Sequence, residues 1–417
     1  MSANTQNNLT SQTIITKLKS GTNIFLTGGA GTGKTFNTNL IKESFKNPII
    51  VAPTGIAAAH LRGETIHSFF GFPVDKEAGL KALKGEIKEL LTEVYRKHDL
   101  LIIDEISMVG DYLLNWIGIR FAELGVSMPI LVVGDFHQLP PVSRDGDVKY
   151  AFESHFWREQ AFETIELTDV HRTTNEEFSN ILNELRVGKI STRATKLLDK
   201  LSQNSNSDDY THLYSTNNKA FDHNKRMLAK IKNKPYFYNL EDEFLGDTDS
   251  ERKEFEFKKS ILKSRFENRL YLKEDALVMY TINKKLSKIY NGKKGIVTKL
   301  DDNLIKIDGK IVERELVEIY TYKKTTKNGV TTVENKLIGR VQQYPLKPAY
   351  AITIHKSQGM SIDGLSVDLS YIFASGQAYV ALSRAMNVEN TTVNLGYKEA
   401  DKIFYTDVDV AAFYRKE

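Results

Sequence analysis

Cysteine is absent from the 417-residue chain, so disulfides, iron–sulfur clusters and cysteine-bound zinc are excluded. No apolar run approaches the roughly 20 residues that a membrane-spanning helix needs. The opening MSANTQNNLT holds neither arginine nor an apolar stretch, so it does not read as a signal or transit peptide. Internal repeats and low-complexity tracts are missing. So is a dominant charge: 57 Lys and Arg stand against 53 Asp and Glu, an excess of four that neither supports nor excludes a nucleic-acid partner. The expectation is a soluble cytoplasmic protein, in a bacterial or phage-like context, with no membrane partner. Its 41% hydrophobic and 26% charged residues are those of a globular chain, and 417 residues exceed one ordinary core. Two or more domains are expected.

Residues 1–170 alternate short apolar runs, at 23–27, 49–52, 100–103, 130–133 and 164–167, with longer helical patterns. Most runs are rich in Ile, Leu and Val without polar alternation, as buried parallel strands are. Two end in glycine- or acid-bearing loops followed by helix-like sequence, the doubly wound α/β pattern. Residues 75–99 are rich in Lys and Glu with apolar residues at helical spacing, and read as a small helical excursion. A helical pattern covers 176–201 and SQNSNSDD (202–209) reads as a loop. Then 211–215 reads as a strand and 218–230 as a helix, opening a second α/β unit, while 241–259 is too charged to place.

From about Ala276 the texture changes to short alternating strands, with hairpin signals at Asn291-Gly292, Asp308-Gly309 and Asn328-Gly329. That suggests a small antiparallel barrel. The α/β texture returns at 350–354 and 365–369, so the barrel is inserted into the second domain.

The strongest motif is Gly28-Gly29-Ala30-Gly31-Thr32-Gly33-Lys34-Thr35, a full G-x-x-x-x-G-K-[ST] pattern just after the strand Ile24-Phe25-Leu26. Its glycines let backbone N–H groups wrap phosphates, and a helix N-terminus adds positive potential. Lys34 should reach the β- and γ-phosphates of ATP, and Thr35 should ligate Mg²⁺. The run Leu100-Leu101-Ile102-Ile103-Asp104-Glu105 is a hydrophobic strand ending in two acids. Asp104 would hold Mg²⁺ and Glu105 would orient and deprotonate the attacking water. In GDFHQLPP (134–141), Gln138 would sense the γ-phosphate or the water. Arg172 and Arg384 would grip the developing phosphoryl charge in bidentate forks.

These blocks together resemble superfamily 1 helicases of the 5′→3′ class. The likeness is greatest to the Pif (petite integration frequency) family, with Dda-like and RecD-like enzymes as cousins. It runs in order through APTGIAAAHLRGETIHSFFG (52–71), DEISMV (104–109), GDFHQLPPV (134–142), LTDVHRT (167–173), QYPLKPAYAITIHKSQGMS (343–361) and QAYVALSRA (377–385). One departure is that GVSMPILVVGDF (125–136) lacks the Phe-Gly-Gly usual in that family.

The resemblance implies an α/β fold of two RecA-like P-loop domains, with a helical 1B excursion and an inserted SH3-like antiparallel barrel, 2B. The division is 1–165 for domain 1A (72–98 as 1B), 166–274 with 346–417 for domain 2A, and 275–345 for 2B. It also implies an ATP-dependent helicase on single-stranded and tailed duplex DNA, acting as a monomer. The implied DNA contacts are Pro53, Thr54, Thr65, His67, Ser68, Thr216, Asn217, Thr353, His355, Lys356, Ser357 and Gln358. Gln12 is the candidate adenine reader, with Gln6 as substitute, and the excursion near Phe72 is the place to look for a duplex wedge.

Residues 276–350 carry 15 Lys and Arg against 7 Asp and Glu, the kind of surplus wanted beside a DNA track. The alternative reading is a nucleotide-switched DNA-remodelling ATPase that does not unwind. The ATP motifs are silent on that choice, and the TIHSFF and TIHKSQG blocks favour the motor. A nuclease–helicase is disfavoured, since no separate cluster of acids with a lysine remains.

Overall fold

The structure is a computed structural model that describes residues 3–73, 76–142, 149–173, 175–205, 209–262, 265–282, 289, 292–327 and 330–416. The chain forms two compact units, residues 1–205 with 365–417, and residues 206–364.

The first unit is built on a six-stranded parallel sheet. Its spatial order is Glu64–Thr65, Pro48–Ala52, Leu100–Ile103, Ile130–Val133, Ile24–Gly28 and Glu163–Leu167. The three central apolar runs, Ile24–Gly28, Leu100–Ile103 and Ile130–Val133, are buried along their whole length. Helices cover a parallel sheet on both faces, so no polar alternation is needed. Ile14, Ile15 and Leu18 of the helix Ala3–Lys19 close one side of this core. Ile130–Val133 lies between the strand that ends at Gly28 and the strand that precedes Asp104. Three chemistry-bearing loops therefore leave neighbouring carboxyl ends of one sheet, where α/β folds place ligands. Leu365–Asp368 pairs in parallel with Thr391–Asn394 in the same unit.

The helical stretch expected over 176–201 is two helices, Glu176–Arg186 and Thr192–Gln203. Gly188, at φ 73°, breaks the pattern, and Ser191 caps the second helix by accepting from Ala194 N. The excursion holds a 3₁₀ turn, Lys76–Ala78, and a helix, Gly85–Tyr95. Asp75, its expected start, lies outside the described residues.

In the second unit Thr211–Tyr214 pairs in parallel with Ala351–Thr353, followed in sequence by the helix Asn217–Lys230. The antiparallel region is two sheets, where one barrel was expected. Five strands run in the order Lys310–Val312, Ile305–Ile307, Lys294–Leu300, Leu277–Tyr280 and Leu346–Pro348 around Val278, Val297, Ile305 and Leu346. A long hairpin, Glu315–Lys327 with Val330–Gln343, instead pairs with Glu241–Phe244. With the helix Asp249–Leu262 it builds a separate core around Phe255, Phe266, Ile319, Ile338 and Val341. The segment too charged to place from sequence thus supplies both a strand and a helix. Asp308-Gly309 is the expected tight turn, with φ of 49° and 76°. Asn291 and Asn328-Gly329 lie outside the described residues. Among the described residues no helix is long and apolar enough to cross a membrane.

Candidate functional site

The P-loop leaves the buried strand Ile24–Gly28 and enters the helix Lys34–Glu43. Gly33 is left-handed, φ 88° and ψ 16°, as that entry requires. At Gly31, φ 82°, a Cβ would lie 2.6 Å from Arg172 Cβ, so only glycine lets the loop and the arginine segment approach. His171 N donates to Gly31 O at 2.8 Å and fixes that approach. Lys34 Nζ donates to Gly28 O and Gly29 O at 2.6 and 2.8 Å. Burial pulls its pKa down to about 8, against the attraction of Asp135 and Glu105. Thr32 Oγ1 closes the loop on Gly29 O, 3.0 Å, and Thr35 is exposed in the first helical turn.

Asp104 and Glu105 follow Leu100–Ile103 directly. Burial, reinforced by the Glu105 charge, pushes the Asp104 carboxyl up to about 8. Glu105 itself is left-handed, φ 52° and ψ 48°. A non-glycine residue held there costs on the order of 1–3 kcal/mol, and such strain gathers at functional sites. A buried Asp104 carboxyl with raised proton affinity, beside a second acid, is what a hard cation would relieve. Mg²⁺ takes one or two carboxylates together with substrate phosphates, so Asp104 and the Thr35 hydroxyl are a fitting donor set. Among the described residues no group of three or more acids and histidines forms a separate metal cage.

Gln138 is buried and donates its Nε2 to Asp135 Oδ2 at 3.2 Å. Asp135 is in turn held by Arg186, a residue the sequence reading missed because it sits in no motif. Arg172 Nη1 donates to Ser383 O at 2.8 Å, tying the two arginine segments together. Arg384 is 2% exposed, with Nε on Val380 O at 2.9 Å and Nη2 on Ser383 Oγ at 2.8 Å. Burial, then the neighbouring Arg172 charge, lowers its pKa to about 9. Both guanidinium groups feel Glu105. Two cations forced together in a poorly solvated place have a strong demand for an anion. Tyr379, unnoticed inside the QAYVALSRA block, accepts from Ala30 N at 2.7 Å and pins the helix Gln377–Leu382, just ahead of Arg384, to the P-loop.

Gly28 to Thr35, Asp104, Glu105, Gln138, Arg172 and Arg384 therefore all belong to one compact unit. Gln12 is exposed on the first helix, next to Ser11, whose hydroxyl bonds Asn37 Oδ1 at 2.6 Å. Asn37 donates back to Gly33 O at 3.0 Å, which ties this stretch to the P-loop. The side chain of Gln6 lies outside what the structure describes.

The expected DNA contacts fall in both units. In the first, Thr54 Oγ1 accepts from Ala57 N at 3.2 Å and Thr65 Oγ1 from Ser68 N at 3.2 Å. Both threonines thus cap helix starts, Thr54 directly after Pro53, and Ser68 Oγ bonds Glu64 at 3.2 Å. Among the described residues His67 Nε2 is buried without a hydrogen-bond partner, and burial lowers its pKa. In the second unit Thr216 and Asn217 are exposed at the start of a helix. Thr353 Oγ1 accepts from Lys356 N at 3.4 Å, Ser357 Oγ donates to Ile354 O at 2.7 Å, Gln358 is buried, and burial lowers the pKa of His355. Much of this polar set shapes backbone turns whose N–H groups can face phosphate.

Two expectations change in meaning. Phe72 is 2% exposed, stacked on Phe70 at 5.2 Å and edge-on to Trp116 at 5.6 Å, so its ring is core and not a wedge. The basic surplus of 276–350 is partly committed: Arg314, Lys336, Arg340 and Lys347 pair with Glu241, Asp247, Glu251, Glu243, Glu318 and Glu267. Most of those acids lie outside the window that was counted.

A family profile described as PIF1-like helicase matches residues 3–196. A Campylobacter jejuni protein named ATP-dependent DNA helicase Pif1 is 34% identical, over 94% of this chain and 94% of its own. The chain belongs to the Pif1-like helicase family. A Bacteroides Pif1 helicase in complex with ADP-AlF3 and single-stranded DNA matches with TM-score 0.69 and 30% identity, over 97% and 96% of the two chains. A structure of two coordinating Pif1 helicases unwinding forked double-stranded DNA matches with TM-score 0.68 and 29% identity, over 97% and 95%. This Pif1-like helicase accordingly has the α/β fold of helicases with two RecA-like domains.

Proposed function

We propose that this Pif1-like helicase hydrolyses ATP to move 5′→3′ along single-stranded DNA and to unwind tailed duplex DNA. The observation that carries the reading is the gathering of Lys34, Glu105, Arg172 and the buried Arg384 around one P-loop. A nucleotide triphosphate adds anionic charge to a set in which three cations face one Glu105 carboxylate.

In the reaction, backbone N–H groups of residues 28–35 cradle the phosphates and Lys34 bonds the β- and γ-phosphates. Glu105 orients the attacking water and takes its proton. Gln138 reports whether the γ-phosphate is present, and Arg172 and Arg384 neutralise charge on the transferred phosphoryl group. Thr35 and Asp104 would hold Mg²⁺, which supplies further charge neutralisation on the phosphates. Gln12 reads the base. Pro53, Thr54 and 65–68 form one DNA grip, and 216–217 with 353–358 the other; each cycle advances one grip along the strand.

We further infer 1–165 as motor domain 1A with 72–98 as excursion 1B, 166–274 with 346–417 as 2A, and 275–345 as insertion 2B. The enzyme acts as a monomer in the cytoplasm. ATPase rate measured with and without single-stranded oligonucleotide tests the reading. Strong stimulation by the oligonucleotide is expected, and an unchanged rate would remove the DNA-coupled motor and leave a nucleotide-switched module.

A further inference from the structure

The helix Val408–Lys416 carries no recognised motif, yet one of its side chains touches three segments of the ATP site. Tyr414 shares a hydrogen bond with Thr27 Oγ1 at 3.1 Å, one residue before the P-loop. Its hydroxyl also accepts from Phe136 N at 3.2 Å. Its ring stacks on His137, 4.7 Å between centroids at 11°. The Arg186 guanidinium lies 5.8 Å from the ring centroid while it clamps Asp135, the acceptor of Gln138 Nε2. We propose that Tyr414 is a positioning residue, holding the Phe136-His137-Gln138 loop in register with the P-loop strand and so setting the rate of ATP hydrolysis. The proposal rests on the role given to Gln138 above.

The helix is well placed for this task. Nine residues form a marginal helix in isolation, so docking must come from side chains. Phe413 provides it, stacked on Phe152 at 4.5 Å and 18° and packed 5.4 Å from Phe136. Its neighbour Tyr414 is then left to bridge the loop and the strand. Thr406 Oγ1, just before the helix, adds a 2.8 Å contact to His137 Nδ1. Gln138 must meet a transition state, and a misplacement of about 1 Å at such a group can cost roughly a hundredfold in rate. None of these contacts touches the phosphate cradle itself, so nucleotide affinity and turnover should separate.

The test compares steady-state ATPase of Tyr414→Phe, Gln138→Ala, the double variant and Val410→Ala in the full chain with saturating single-stranded DNA. Tyr414→Phe keeps the ring and removes only the hydroxyl. Its kcat should fall about 3- to 10-fold, the size of one or two net hydrogen bonds, with KM for ATP nearly unchanged. The double variant should be no slower than Gln138→Ala. Val410 is fully buried on the same helix, so Val410→Ala should lower the melting temperature and leave kcat intact. An unchanged kcat in Tyr414→Phe beside a slow Gln138→Ala overturns the proposal alone. So does a double variant whose losses multiply, or a Val410→Ala as slow as Tyr414→Phe. An unchanged kcat in Gln138→Ala overturns the role of Gln138 instead.

Discussion

Arg186 holds Asp135 through two parallel bonds, Nε to Oδ2 and Nη2 to Oδ1, each 3.0 Å, with Asp135 fully buried. Burial pushes the Asp135 carboxyl up, but Arg186, Lys34 and His137 outweigh it, and its net pKa is lowered. Arg186→Met strands this carboxylate inside the protein. Breaking a buried pair costs about 3–5 kcal/mol, so denaturant unfolding should show a loss of that size. Adding Asp135→Asn should return part of it. A loss below 1 kcal/mol would mean that the pair is not structural.

Lys34→Ala removes the one flexible cation of the P-loop and leaves both sets of proposed DNA contacts untouched. ATP turnover should fall to background while fluorescence anisotropy shows single-stranded DNA binding largely retained. Parental turnover in this variant would refute the site assignment.

Arg384→Ala removes a charge that the fold keeps buried beside Arg172. Arginines that stabilise phosphoryl transfer are worth roughly 10³- to 10⁵-fold in kcat, and a loss near the lower end is expected because Arg172 remains. KM for ATP should change far less. A raised KM with kcat unchanged would show ground-state binding in place of transition-state stabilisation.

His137 gives a pH signature. Burial is the main cause of a pKa lowered from 6.5 to about 4. Its contribution to stability is complete above pH 6.5 and is lost as pH falls from 6.5 towards 4, because the unfolded chain takes the proton first. Between pH 7.5 and 5.0 the loss is on the order of 2 kcal/mol. Unfolding at those two values, repeated for His137→Gln, should show the pH-dependent loss shrink by that amount in the variant. An identical loss in both proteins would place the acid sensitivity elsewhere.

The sequence was legible where chemistry is local. Leu100–Ile103 and Ile130–Val133 are continuous apolar runs between polar turns, and their ends are placed to the residue. The P-loop announces itself by spacing and the acid pair through the P-loop ahead of it, while Arg172 and Arg384 are uninformative singly and legible only through the ordered blocks around them. Gly188 did not, because one glycine in a helical pattern is cheap and reads as tolerated. Residues 241–259 were opaque because their partners are distant: Glu241–Phe244 pairs with a strand about a hundred residues later. Asp247 and Glu251 both pair with the distant Lys336. Arg186 and Tyr414 carry no motif, since tertiary packing alone brings them to the Phe136-His137-Gln138 loop.

Strand displacement on duplexes with a 5′ or a 3′ single-stranded tail tests the central claim most directly, with Lys34→Ala as the inactive control. The account predicts ATP-dependent unwinding of the 5′-tailed duplex, little of the 3′-tailed one, and none by the control. Preference for the 3′ tail, or unwinding that survives Lys34→Ala, would contradict it.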